Sequence, residues 1–331
     1  MTLTASASAP GKIILFGEHA VVYGQPAIAV PLTAVSARAV VQPGQIPGRV
    51  LIVAANLGRT LVVRPEPQDG EHALVIAVRL LLEELGLPVP GLQVTVHSTI
   101  PVASGLGSGA AVTTALLRAV AEAVGAPLDA ERLNGLVYEV EKLYHGTPSG
   151  IDNTVIVYER PVFFVRGEPI ETFTASGQID VLVADTGISS PTRIAVGDVR
   201  ELVKSQPVVY SPVLEHIGAI TREAREAIAR GDVAALGALA VENHRLLQQL
   251  TVSCEALDRL VHAAIQVGAT GAKLSGGGRG GNMIAFVRRG DLARVRDALR
   301  QAGAVRVLHT TIQAGDHHAG ICQTGRLADY R

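Results

Sequence analysis

Pro101–Val112 reads PVASGLGSGAAV, and the fold is decided by how this stretch is read. Gly105, Gly107 and Gly109 flank Leu106 and Ser108, and the apolar run Ala110 to Val124 that follows carries only Arg118 and Glu122 as charges. Its length and period predict a helix, buried on most sides and closed by Gly125. The N–H groups in the first turn of a helix have no partners within it, and glycines leave them uncovered. Bare N–H groups at the positive end of the helix dipole suit an anion, most often phosphate. Taken alone, the stretch fits a phosphate cradle and fits equally a tight turn feeding a core helix. It is not a Walker loop, because no Lys-Ser or Lys-Thr follows the last glycine.

A second glycine run lies far downstream. In GAKLSGGGRGGNMIAF, residues 271–286, five glycines surround Arg279 and an apolar β-run follows. Placed between a periodic helix and an apolar strand, it reads as a loop that lets backbone approach a ligand, not as a flexible linker. Near the N-terminus, APGKIILFGEHAVVYGQPAIAV (residues 9–30) packs Lys12, Glu18 and His19 among buried positions. Charges there need partners, so together they suggest a polar pocket.

Between these runs the pattern alternates. Strands are expected at Ile13 to Phe16, Val21 to Tyr23, Ala34 to Val41, Val50 to Ala54 and Leu92 to His97, and a helix over Glu71 to Leu85. Asp129 opens another helix, with Leu133, Leu136, Val137, Val140 and Tyr144 on one face, ended by Gly146 and Pro148. Glu141 falls about 40° beyond Val137 on the wheel, at the edge of that face, and Glu139 on the other flank. Asp152, in HGTPSGIDNT (145–154), stands eleven positions past Glu141. One continuous helix would hold the two about 16 Å apart; a reversal at Gly-Thr-Pro would bring both carboxylates to one site. Simpler roles are open to each: Asp152 closing a capping box with Ser149, Glu141 in a solvated ion pair. Strands at Thr154 to Val157 and Val162 to Val165 close a first domain near Ile179. Beyond it lie a strand at Val181 to Asp185, the loop TGISSPTR (186–193) and a helix-rich stretch from Pro212 to Val267 with breaks at Gly231-Asp232 and Thr251. A helix at Asp291 to Ala302 and a strand at Val305 to Ile312 complete the pattern. The residues from Ala314 on lack periodicity and read as a loose, solvated tail, His317-His318 included.

With 331 residues, 48% hydrophobic and 18% charged, the chain is core-rich and long enough for two domains. A formal net charge of -1, scattered arginines, 3% aromatics and no Trp argue against nucleic-acid and acidic-membrane surfaces. Cys254 and Cys322 read as reduced thiols without chemistry. With no basic, then apolar leader and no apolar run long enough for a bilayer, a cytoplasmic location is expected.

Taken together, Ala9–Ala29, Pro101–Ala111 and Lys273–Asn282 resemble, in order and spacing, the three motifs of the GHMP kinases. GEHAVVYGQPAIA with HGTPSGIDN is most similar to the mevalonate-phosphorylating members of that superfamily. The resemblance implies a two-domain α+β fold: residues 1–179 like domain 2 of ribosomal protein S5, residues 180–313 ferredoxin-like, and 314–331 a tail. It implies ATP and Mg²⁺, phosphorylation of the C5 hydroxyl of mevalonate, and a homodimer. Asp152 matches the catalytic base and Lys12 its neighbour near the γ-phosphate. Glu141 matches the Mg²⁺ carboxylate. Pro101 and Gly105, Leu106, Gly107, Ser108, Gly109 and Ala110 match the phosphate loop, and Glu18, His19, Thr192, Gly277 and Gly278 the surroundings of the acceptor. One departure stands out. Relatives commonly place a second, metal-bonding serine where this chain has Gly109, so Ser108 or water is expected to fill that coordination position. Arg279 stands where many relatives have glycine; pairing with a surface acid is favoured over phosphate contact. Arg193 beside Thr192 keeps open an acceptor already phosphorylated, as in phosphomevalonate kinase or a diphosphate decarboxylase. A catalytically silent metabolite sensor on the same scaffold is a further alternative, supported by Gly109 and opposed by Lys12, Glu141 and Asp152.

Overall fold

The computed structural model describes residues 4–101, 104–146, 148–189 and 192–313. The expected tail, with His317-His318 and Cys322, lies outside them. By packing, the chain divides into two compact units: Met1–Lys12 with Leu32–Glu159, and Ile13–Pro31 with Arg160–Arg331. This differs from two sequential domains meeting at 179, since residues 13–31 and 160–179 group with the C-terminal part.

The strands are β1 (Ala5–Phe16), β2 (Ala27–Pro43), β3 (Val50–Ala54), β4 (Arg59–Val63) and β5 (Leu92–Ser98). In the first unit they are ordered β4-β3-β5-β2, with β1 also on β2. β3 runs parallel to β5, and the β3–β4 and β2–β5 pairs are antiparallel. Four helices accompany this sheet: α1 (Ala73–Glu84), α2 (Ser108–Ala123), α3 (Ala130–His145) and α4 (Ile151–Tyr158). α2 lies against β5, α1 and both later helices. Its near-unbroken burial follows from a sequence of Ala, Leu, Val and Thr with two charges. Gly125, at φ +77°, ends it as expected. Asp129 caps α3 by accepting the Arg132 N–H at 2.8 Å.

The second unit adds β6 (Val162–Phe164), β7 (Glu171–Thr172), β8 (Gln178–Asp185), α5 (Thr192–Ser205), α6 (Pro207–Arg230), α7 (Val233–Gln249), α8 (Glu255–Gln266), β9 (Gly271–Ser275), β10 (Asn282–Val287), α9 (Leu292–Gln301) and β11 (Arg306–Gln313). Ala27–Ala29 of β2 pair with β6, and β6 with β7. A four-stranded antiparallel sheet, β11-β8-β10-β9, is covered by α7, α8 and α9. This helix-and-sheet layer accords with the expected ferredoxin-like half.

Three local expectations are corrected. Val21–Tyr23 is not a strand but part of a 3₁₀ turn, Ala20–Tyr23, because Gly17 at φ +95° and His19 at φ +60° turn the chain out of extended geometry. Thr154–Val157 is helical, within α4. The β-branched run is buried on all sides, and Thr154 and Asn153 bond into α3, where Asn153 Nδ2 donates to Asn134 Oδ1 at 2.7 Å. Tyr144, at the end of the stripe that runs through Val137 and Val140, is exposed and not packed.

Candidate active site

The first unit gathers an amine, two carboxylates and the glycine loop. Lys12 lies inside β1, its backbone N–H donating to the Leu106 carbonyl at 2.9 Å, so strand and loop are fixed to each other. Gly107 adopts φ +76°, and a Cβ there would lie 2.8 Å from Ile156 Cδ1 and 2.9 Å from Lys12 Cγ. Both the backbone conformation and the space demand glycine. Gly107 is also the N-cap of α2 and supplies no side-chain cap, leaving the first-turn N–H groups of Ser108, Gly109 and Ala110 bare of side-chain bonds. Leu106 and Ala110 are buried, so only their backbone is available to a ligand. Pro101 starts the loop, its carbonyl accepting from Ser104 Oγ at 2.7 Å.

Asp152 reaches this loop because the chain reverses between α3 and α4. Gly150, at φ +87°, caps α4 and puts Asp152 in its first turn. The capping-box alternative is not realised: Ser149 Oγ accepts from Ile151 N at 3.3 Å, while Asp152 Oδ1 pairs with Lys12 Nζ at 2.9 Å. In that pair the Lys12 side chain is 7% exposed and that of Asp152 38%, so the carboxylate is the accessible partner. Glu141, expected at the edge of a face, is 4% exposed. Burial raises its carboxyl to about pH 7, with the Asp152 charge adding to the rise and Lys12 opposing it. Glu139, by contrast, forms the solvated ion pair, with Lys142 at 2.7 Å.

Would this donor set suit Mg²⁺? The described residues contain no group of three or more His, Cys, Asp or Glu side chains able to cage a metal. Mg²⁺ does not require one, since it is usually held by one or two carboxylates plus phosphates and waters. A Cβ on Gly109 would come 3.2 Å from Glu141 Oε1. That places the Glu141 carboxylate against the start of α2, beside Ser108, where hard oxygen donors and an anion-binding helix end meet.

The second unit holds the remaining expected residues. The Glu18 carboxylate, 3% exposed, accepts from Lys273 Nζ at 2.5 Å, and Lys273 is 0% exposed. Lys273 Nζ also donates to the Leu274 carbonyl at 2.7 Å and lies over the Phe16 ring. Burial raises the Glu18 carboxyl and lowers the Lys273 amine, each pulled back by its partner's charge. Glu18 is thereby committed beneath the glycine loop that follows β9. Sequence reasoning missed Lys273; its signal was a lone cation in an otherwise apolar strand.

His19 is buried, with Nε2 at 3.0 Å from the Gly277 carbonyl. A carbonyl only accepts, so Nε2 carries the proton and Nδ1 is an acceptor without a hydrogen-bond partner among the described residues. Burial keeps the ring below its usual range, Gly277 opposing and Arg279 and Lys273 adding to the drop. Thr192, exposed at the start of α5, has Oγ1 2.9 Å from where a Gly277 Cβ would sit. Gly278, at φ +77°, leaves no room for a side chain against the Val252 carbonyl. Arg279 pairs with Asp198 and donates from Nε to the Thr251 carbonyl at 3.3 Å, the surface-acid outcome favoured from sequence.

A glycine-capped helix end beside a Lys–Asp pair and a buried carboxylate is the equipment of a phosphotransferase. Sequence profiles agree: that of the GHMP kinases N terminal domain matches residues 72–160, and that of the GHMP kinases C terminal domain residues 224–305. The chain belongs to the GHMP kinase family. It is 36% identical over 316 residues to a mevalonate kinase of Pyrococcus furiosus, covering 90% of this chain and 93% of that one. To a mevalonate kinase of Aeropyrum pernix it is 35% identical over 302 residues, covering 89% and 92%. Among solved structures, L. major mevalonate kinase in complex with R-mevalonate superposes with a TM-score of 0.78 at 30% identity, covering 94% of this chain and 96% of that one. Methanococcus jannaschii mevalonate kinase, at 24% identity with coverage of 94% and 98%, shares the fold with a TM-score of 0.81. Among the described residues no helix is long and apolar enough to cross a membrane.

Proposed function

We propose that the chain transfers the γ-phosphoryl group of ATP to the C5 hydroxyl of mevalonate. The observation that carries this reading is the 2.9 Å Lys12–Asp152 pair, with its accessible carboxylate, in the same unit as the uncapped start of α2. Phosphoryl transfer asks for positioning and charge neutralisation more than for covalent help. The bare N–H groups of Ser108–Ala110 would hold phosphate oxygens, and Lys12 would face the γ-phosphate. Asp152 would accept the hydroxyl proton as the oxygen attacks phosphorus. Glu141 and Ser108 would hold Mg²⁺, with Ser108 or water in the place a second serine would take. When bound, the ion neutralises charge on the phosphate oxygens. Thr192, His19, Gly277 and Gly278 would surround the acceptor, the His19 Nδ1 acceptor taking a hydrogen bond from a substrate hydroxyl. Glu18 would act from beneath, through Lys273 and the loop. Arg193 at the start of α5 remains the residue a phosphorylated acceptor would recruit. The reading carries with it a cytoplasmic homodimer, which sedimentation of the purified protein and fractionation of its host would test.

A coupled ADP-release assay with mevalonate, phosphomevalonate and galactose tests the substrate. Turnover with mevalonate alone is expected; turnover only with phosphomevalonate transfers the reading to that kinase, and none with any acceptor supports a sensor. Asp152→Asn should retain ATP binding by titration calorimetry and lose turnover by a factor on the order of 10³ or more. Near-normal kcat in that variant would remove Asp152 from its role as base.

A further inference from the structure

Under the glycine loop that follows β9 lies a cluster of polar side chains that none of the three motifs contains. His244 of α7 is 6% exposed, and its Nδ1 accepts the Leu274 backbone N–H at 3.2 Å. A backbone N–H only donates, so the proton of the neutral ring resides on Nε2, which faces Asp258 Oδ1 at 3.0 Å. The same carboxylate oxygen accepts the Ser253 hydroxyl at 2.5 Å. Burial pushes the imidazole below its usual range; Asp258 pulls it up and Lys273 pushes it further down.

Both arms of the cluster end on the glycine loop. On one side, β9 is an edge strand, and His244 satisfies the Leu274 N–H that would otherwise be left unpaired there. The Leu274 carbonyl takes the Lys273 amine, which holds Glu18 next to His19. On the other side, Ser253 follows Val252, whose carbonyl accepts the Arg279 N–H at 2.7 Å and would lie 1.9 Å from a Cβ on Gly278. One carboxylate oxygen therefore links the strand entering the loop to the turn on which its far side rests.

We propose that Asp258, acting through His244 and Ser253, is a positioning residue that sets the geometry of the Gly276–Gly281 loop and so the placement of Gly277 and His19. The proposal rests on the kinase reading for its kinetic consequence and on the fold alone for its structural one. Asp258→Asn keeps an oxygen that can accept both hydrogen bonds; Asp258→Ala removes it. In the Ala variant kcat/KM for mevalonate should fall on the order of 10-fold, and amide hydrogen exchange across residues 274–281 should accelerate in the ligand-free protein. The Asn variant should recover most of both. If wild type turns over no acceptor but the exchange pattern holds, the kinase reading fails and the positioning role stands. The proposal is overturned if wild type is active and the Ala variant matches it in kcat/KM and in local exchange. It is equally overturned if the Asn variant is as impaired as the Ala variant, or if Ala lowers Tm while leaving kinetics and loop exchange unchanged.

Discussion

Glu141 meets two opposed demands. Its carboxyl is raised from 4.5 to about 7, first by burial and then by the Asp152 charge. Below pH 4.5 the group is protonated in both folded and unfolded chains and has no effect on the balance. Between 4.5 and about 7 the unfolded chain releases a proton that the folded one keeps, so stability falls as pH rises. Above about 7 the loss is complete, on the order of 3 kcal/mol. Glu141→Gln should therefore unfold at higher urea concentration than the parent at pH 8 and at the same concentration at pH 4, measured without nucleotide. It should also lose Mg²⁺-dependent turnover, because the neutral amide is a poorer ligand for a hard cation. Equal urea midpoints at pH 8 would show that Glu141 is not the source of the pH dependence.

At the scale of elements, the buried Glu18–Lys273 pair ties the segment after β1 to β9. Removing one partner leaves a charge uncompensated in the interior, which destabilises by about 3–5 kcal/mol. Glu18→Leu and Lys273→Met should each lower Tm steeply, and the double variant should be more stable than either single one. A double variant with additive losses would mean that the two residues act independently. The pair also shows where reading the sequence stops. Glu18 and His19 were conspicuous as charges among apolar positions, but the residue that answers Glu18 lies 255 positions away, and only the fold brings it near. Lys12 and Asp152 were legible as a pair because the two separate stretches that carry them resemble those of a known family. Strand and helix existence was largely legible for the same sort of local reason: hydrophobic period, Gly125 at the end of α2, Asp129 at the start of α3. α4 was not, since Thr154–Val157 has the composition of a strand and owes its helical state to the Asn134–Asn153 contact and to burial. Nor was the backbone turn at His19, whose positive φ no pattern of residue types announces.

For the whole molecule, binding to the folded state alone must show as stability. MgATP at 100 times its Kd should add about 2.7 kcal/mol, a rise in Tm of several degrees. Asp152→Asn should show the same rise and Glu141→Gln a smaller one, read by differential scanning calorimetry. Loss of the rise in Asp152→Asn would make that residue part of nucleotide binding. The composition made two cores legible, yet not their membership, because residues 13–31 pack with a part of the chain that begins 129 positions later. That excursion limits how the gene can be cut. A single break after Glu159 would leave the Glu18–His19 segment on the N-terminal fragment, stranded from Lys273 and Gly277. The N-terminal fragment would then carry all of the first unit, but the C-terminal one would lack residues 13–31 of the second, so a version of this enzyme with each unit on its own chain would have to be assembled from four stretches of sequence or else regain its activity only by complementation.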